Sequence, residues 1–280
     1  MHSSLPGIER ARPLLGTTVS VRVEGLAEAD AHHAVDEAFA EIALVHRLMS
    51  FHEAESDLSS LNREAHRRSI EVHPLTFEVL QHAIEFSDAS DGVFDITVAQ
   101  ELVANGLLPS PSGLIVDPSS TWRDVQLQEN HHVRFRRPFW IDLGGIAKGF
   151  AVDRAIERLK AAGAVQASVN AGGDLRIFGP HSERVRLSAP HSSVGVPVLD
   201  IENAAVASSG GPQNAHVDGA SRSAIPSGRF VSIVAETCIV ADALTKIVLA
   251  LEEQSEAILE QYRASAHLYE LRRGWRHFGA

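Results

Sequence analysis

Asp142-Leu143-Gly144-Gly145-Ile146-Ala147-Lys148-Gly149-Phe150-Ala151-Val152-Asp153 and, a short way on, Ser168-Val169-Asn170-Ala171-Gly172-Gly173-Asp174 set the reading of this chain. Two glycine-rich turns with carboxylates at hand bracket one helix, expected from Ala147 to Ala162 and stopped by Gly163. Glycines let a backbone come close to a ligand, and the start of a helix favours negative charge. Backbone amides, the Lys148 ammonium and Asp side chains are thereby available to a phosphate-bearing ligand. A plainer account uses the same residues, with Gly144-Gly145 as a packing turn and Lys148 as a solvated first-turn residue. The loop from Asn170 to Asp174 is either a tight turn capped by Asp174 or part of a pocket wall.

Around this stretch, strands are expected at Val133 to Phe135, Phe139 to Leu143 and Val165 to Asn170, with short ones near Arg184 to Ser188 and Ala205 to Ser208. Upstream, Thr18 to Glu24 alternates, with Val19, Val21 and Val23 on one face, as a half-buried strand requires. A helix is expected from Glu28 to Met49, where Val35, Phe39, Ile42, Val45 and Met49 recur at helical spacing. Ser50 to Arg63 is polar and ends it. A second helix starts at Pro74, a favourable first-turn residue, and runs to Ser87. Asn105 to Thr121 carries Pro, Ser and Gly without a period and reads as a loop. Downstream, Phe230 to Ala235 is a buried strand feeding a helix from Cys238 to Leu251, and Ala266 to Arg272 returns as a strand. This mixture lacks a regular βα repeat, which argues for an α+β fold over a doubly wound sheet. No internal repeat or linker is visible, so residues 1–280 read as one unit.

The 280 residues are 44% hydrophobic, enough for a sizeable core. A formal net charge of -11 with no basic block disfavours nucleic acid, whose phosphates need a positive face. An acidic protein that handles an anionic nucleotide must neutralise it locally, through a metal ion or a few Lys and Arg. Cys238 is the only cysteine, so no internal disulfide can form, and it reads as a small buried hydrophobe. Met1 to Gly7 shows no basic segment followed by an apolar one, and no run approaches membrane-spanning length. The expectation is a cytoplasmic location; oligomeric state is not encoded in any recognisable pattern.

Taken with Leu14-Leu15-Gly16-Thr17-Thr18, Ser56-Asp57-Leu58-Ser59-Ser60-Leu61-Asn62, Gly92-Val93-Phe94-Asp95-Ile96-Thr97-Val98, Ala207-Ser208-Ser209-Gly210 and Ala241-Asp242-Ala243-Leu244, the opening stretch resembles the ApbE family of FAD:protein FMN transferases. The motifs stand in the family's order over most of the chain. The resemblance implies FAD as substrate, Mg2+ as cofactor, and an acceptor flavoprotein presenting a Thr or Ser that receives the FMN moiety while AMP leaves. A catalytically degenerate FAD binder, or a pyrophosphatase giving FMN and AMP, are the alternatives.

By the same resemblance, Leu15, His52, Val93, Phe94, Asp95, Asp142, Lys148 and Val217 fall at FAD-contact positions, although relatives usually carry Met and an aromatic residue where Leu15 and His52 stand. Period two alone puts Phe94, Ile96 and Val98 on one strand face and Asp95 and Thr97 on the other. Gly145, through its carbonyl, Asp242 and Thr245 fall at the magnesium positions. Relatives place a Thr four residues after the Asp, where this chain has Lys246. Thr245 and Lys246 both share a helix face with Asp242, and Lys246 is expected to turn to solvent so that Thr245 completes the site. His216 is the candidate general base, since an imidazole titrates near neutrality. The family's Asp-Pro-x-Thr-Gly after that His is absent, and Val217-Asp218-Gly219-Ala220-Ser221-Arg222 stands there instead.

Overall fold

Ile8–Leu14 (β1) and Thr17–Glu24 (β2) form a hairpin whose turn, Leu15-Gly16, puts both residues at positive φ, 54° and 71°. A two-residue turn of that hand matches the twist of the strands it joins. On β2 Val19, Val21 and Val23 are fully buried, as their alternation requires. The computed structural model describes residues 7–111, 113–189, 195–211 and 216–279.

The periodic segment that follows is helix α1 (Glu28–Met49), with Val35, Phe39, Ile42, Val45 and Met49 all on its buried face. Next comes a smaller region of α2 (Asp57–Glu64), β3 (Ile70–Glu71), α3 (Pro74–Ala89), α4 (Ala99–Ala104), β4 (Val125–Leu127) and β5 (His132–Phe135), whose strands pair in the order β3-β5-β4. Helix α5 (Ala147–Ala161) then leads into the hairpin β6 (Gln166–Ala171) and β7 (Asp174–Phe178). A short ribbon of β8 (Glu183–Arg186) and β9 (Val198–Ile201) precedes β10 (Ala205–Gly210), and a second ribbon, β11 (Val217–Asp218) and β12 (Ser223–Ala224), precedes β13 (Arg229–Ala235). The chain ends with α6 (Cys238–Leu251), α7 (Glu256–Gln261), β14 (Ser265–Glu270) and β15 (Gly274–Gly279).

Eight strands form one antiparallel sheet in the order β1-β2-β6-β7-β10-β13-β14-β15. Each half has helices between two antiparallel strand pairs: α1, the smaller region and α5 between β1-β2 and β6-β7, and α6 and α7 between β10-β13 and β14-β15. The repetition is one of topology and leaves no trace in the sequence, because any residues with the right burial alternation satisfy it. The halves meet at a narrow seam, where the β7–β10 register contains only Ala205 opposite Arg176 and Val206 opposite Leu175. Ala205 and Ala207 face the main core under α5 and α6, whereas Val206 faces a smaller cluster with Ile177, Leu187 and Ile201.

Helices α5 and α6 cross behind the seam. The contact is close because Gly149 has no side chain; a Cβ there would sit 2.3 Å from the Cys238 carbonyl oxygen. Asp153 of α5 caps the start of α6, accepting from the amides of Cys238 at 2.9 Å and Ile239 at 2.8 Å, and it also pairs with Arg176 at 2.8 Å. Cys238 is fully buried at this crossing, and burial pushes its thiol well above the usual range.

Two expectations are corrected. Phe139 to Leu143 is not in a ladder; the Asn62 side chain does a neighbouring strand's work, accepting from the Ile141 amide at 2.8 Å and donating to its carbonyl at 3.0 Å. Phe94 to Val98 is likewise no strand but a turn running into a 3-10 turn at Ile96–Val98. Phe94, Asp95, Ile96 and Thr97 are all buried, because Asp95 caps the turn by accepting from the Thr97 amide at 2.8 Å and both of its sides are covered.

Candidate active site

Asp242 sits on α6 with no exposure to solvent. A carboxylate so placed must be compensated. One oxygen accepts from the Gly149 amide at 3.1 Å, which ties α6 to the first turn of α5. The other lies 2.6 Å from Lys246 Nζ, one helical turn on. Lys246 therefore turns inward, against the expectation that it reaches solvent; in water it would leave Asp242 without an ion-pair partner. Its ammonium also donates to Thr245 Oγ1 at 2.9 Å, Ser209 Oγ at 3.0 Å and the Asp242 carbonyl at 3.2 Å. Ser209 lies in the Ala207-Ser208-Ser209-Gly210 motif, but its part in holding Lys246 has no signal in the sequence, since it depends on β10 lying against α6.

Beside this cluster Lys148, in the first turn of α5, pairs with Asp174 at the start of β7, Nζ to Oδ2 at 2.6 Å. Burial works against the Lys148 charge, but Asp242 and Asp174 outweigh it and hold its pKa above the usual range. Burial and the neighbouring Asp242 raise Asp174 to about 6, with Lys148 pulling the other way. The Asn170 to Asp174 loop is thus both a tight turn and a pocket element.

His216 stands just before β11, with its Nε2 buried and without a hydrogen-bond partner among the described residues. Burial, then the Lys246 charge and to a lesser degree that of Lys148, push its pKa down to about 3, although Asp242 opposes them. The imidazole is neutral at physiological pH.

These groups open on a cavity of about 370 Å³ lined by Val93, Phe94, Asp95, Asp142, Gly145, Lys148, Ser209, His216, Val217 and Lys246. A second cavity of about 360 Å³ holds Leu15, Met49, Phe51 and His52, and the two share Leu108, Asp142, Gly144 and Lys148. Leu15 and His52 thus stand apart from His216, in the second chamber. Asp242 and Thr245 line neither cavity and lie fully buried beside Lys246. Asp142, on the shared wall, accepts from the Gly144 amide at 3.0 Å, and its burial raises its pKa.

A family model described as the ApbE family matches residues 15–268. The chain belongs to the ApbE family. Among curated relatives, a FAD:protein FMN transferase from Rhodobacter capsulatus is 31% identical over 64% of this chain and 36% of its own length. One from Treponema pallidum is 27% identical over 64% of this chain and 54% of its own. The chain therefore matches only about a third to a half of these two relatives' length. The flavin transferase ApbE from Vibrio cholerae shares the fold with a TM-score of 0.83, covering 98% of this chain and 97% of that one at 19% identity.

Two features separate this ApbE member from the pattern of its motifs. The first is the loop after His216. Arg222 turns back and donates to Asp95 Oδ2 at 3.0 Å, Thr97 Oγ1 at 2.8 Å and the Ser120 carbonyl at 2.6 Å. Asp95 accepts from Thr97 as well, so although it lines the cavity its oxygens anchor the loop. Burial raises the Asp95 pKa, with Thr97 and Arg222 working against it. The second is the magnesium set. Lys246 Nζ already lies among the Asp242 and Thr245 oxygens, and a Cβ on Gly145 would be 3.4 Å from Lys246 Cε. The residues present do not fit a divalent ion beside that ammonium. Among the described residues no three His, Cys, Asp or Glu side chains group as a metal site, and no helix is long and apolar enough to cross a membrane.

Proposed function

We propose that this chain binds FAD across the two adjoining chambers and transfers its FMN moiety to a Thr or Ser hydroxyl of an acceptor protein, releasing AMP. The observation that carries the reading is the pair of adjoining cavities, one of them lined by two ammonium groups and His216. It agrees with the family and with relatives named FAD:protein FMN transferase. The pyrophosphate lies toward Lys148 and Lys246, and a ring system packs between Leu15, Met49 and Phe51.

In the reaction the acceptor oxygen bonds to the FMN phosphorus, the bond from that phosphorus to the AMP oxygen breaks, and AMP leaves with the electron pair. Positioning and charge neutralisation are what such a transfer asks of the protein. The hydroxyl proton goes to His216 Nε2. An imidazole held near 3 is a poor acceptor until negative charge arrives, and the bound pyrophosphate supplies that charge next to the two lysines. Leu15, His52, Val93, Phe94, Asp142 and Val217 shape the walls, and Asp95 does so by holding the loop.

A non-catalytic FAD binder is the second reading, favoured by Lys246 standing among the expected metal ligands. Incubation with FAD and a Thr-containing acceptor peptide, followed by intact mass, separates the two. An FMN adduct with equimolar AMP supports transfer, FMN and AMP without adduct shows a pyrophosphatase, and unchanged FAD in a bound state shows a binder.

A further inference from the structure

We propose that Lys246 is a resident cation: its ammonium occupies the oxygen cage built by Asp242, Thr245 and Ser209, so the chain takes a pyrophosphate-bearing nucleotide without a divalent metal. The inference rests on the FAD reading only for the identity of the nucleotide.

The cage is an unusual place for a lysine head. Nζ has four oxygen neighbours within 3.2 Å, from Asp242 Oδ1, Thr245 Oγ1, Ser209 Oγ and the Asp242 carbonyl. An ammonium has three protons to donate, so these contacts saturate it with hard oxygen donors, the ligand type that magnesium also selects. The side chain passes over Gly145 on the way, and Lys246 forms part of the cavity wall.

Charge balance makes the same point. Lys246 answers Asp242 and Lys148 answers Asp174, two ammoniums against two carboxylates. A divalent ion would have to expel Lys246 from its cage and raise the local positive charge. A bound pyrophosphate instead meets two lysine heads already held in place by buried carboxylates, so neither has to be ordered on binding. Lys246 is thus a specificity-determining residue that exchanges a dissociable cation for a covalently attached one.

Two measurements on the full chain test this. In the first, Mn2+ is titrated into protein alone and read by electron paramagnetic resonance. The expected result is no specific binding to the wild type and a bound-Mn2+ signal for Lys246→Thr, which vacates the cage and supplies an oxygen; equal binding by both overturns the assignment. In the second, calorimetry measures FAD affinity in EDTA and in MgCl2. The wild type is expected to bind equally in both, and Lys246→Met, which keeps the bulk and loses the charge, to bind about 10- to 100-fold more weakly in EDTA. A wild-type affinity that collapses in EDTA overturns the proposal. Wild type that binds FAD in neither buffer overturns the FAD reading instead, and the Mn2+ arm then upholds or overturns the resident cation by itself. Circular dichroism on each variant separates a lost charge from a lost fold.

Discussion

Lys148 and Asp174 depend on each other more than on any ligand. Asp174 is 1% exposed and has Lys148 as its ion-pair partner, so Lys148→Ala strands a buried carboxylate beside Asp242. Breaking a buried pair by removing one partner costs about 3 to 5 kcal/mol; urea denaturation of Lys148→Ala should fall at the lower end, since Lys148 is partly exposed, and adding Asp174→Asn should recover most of the loss. His216 gives a pH prediction. Its folded pKa lies near 3 against 6.5 ordinarily, so the unfolded chain binds a proton that the folded one refuses. The stability from this residue is complete above 6.5 and is lost as pH falls toward 3. Asp174 runs the other way: raised from 3.8 to about 6, it weakens the fold as pH rises through that window. Melting temperatures between about pH 4 and pH 7 should therefore decline less on the acid side for His216→Phe, and more for Asp174→Asn, than for the wild type. Motif order singles out Asp142, Lys148, His216 and Asp242; the first three line one cavity and Asp242 lies beside it, paired with Lys246. Ser209 and Arg222 were not assigned roles, because a serine or arginine in a loop has many uses and only tertiary contact selects one.

Among the elements, the α5–α6 crossing carries the strictest demand. Gly149→Ala drives a methyl toward the Cys238 carbonyl and the Asp242 Cβ, which cannot swing aside as a flexible side-chain end could. Overpacking of this kind costs about 1 to 3 kcal/mol. We expect the upper end by chemical denaturation, with a weakened Lys246–Asp242 geometry that lowers FAD affinity in parallel. Helices α1 and α6 were readable to the residue, since their apolar spacing is long and uninterrupted. Short pieces were not: α2 lies in a segment that reads as polar loop, although Ser56 caps it through the Ser59 amide at 3.0 Å. Phe139 to Leu143 failed for a different reason. Its partner is a side-chain amide, and no strand pattern in the sequence announces Asn62.

At the scale of the molecule, the site draws Lys148 and Asp174 from one half of the sheet and Ser209, His216, Asp242 and Lys246 from the other. A ligand spanning them should slow amide exchange on both β7 and β10. At a free FAD concentration of about 100 times its dissociation constant, it should stabilise the chain by about 2.7 kcal/mol. Riboflavin, lacking the pyrophosphate, should do neither to the same degree at equal concentration. The α+β class was legible because strands and helices alternate irregularly, but the doubled topology was not, for it is written in pairing order alone.

The narrow β7–β10 seam also makes the chain divisible. A cut between Pro180 and Ser182 leaves each fragment with two complete antiparallel strand pairs and its own helices, and gives neither a whole site. What rejoins them is the α5–α6 crossing, where Asp153 of the first piece receives the free amides of the second and Asp242 of the second receives the Gly149 amide of the first. Co-expressed halves should therefore reassemble into a nucleotide-binding whole, with flavin capture as the reporter that two separately made polypeptides have found each other.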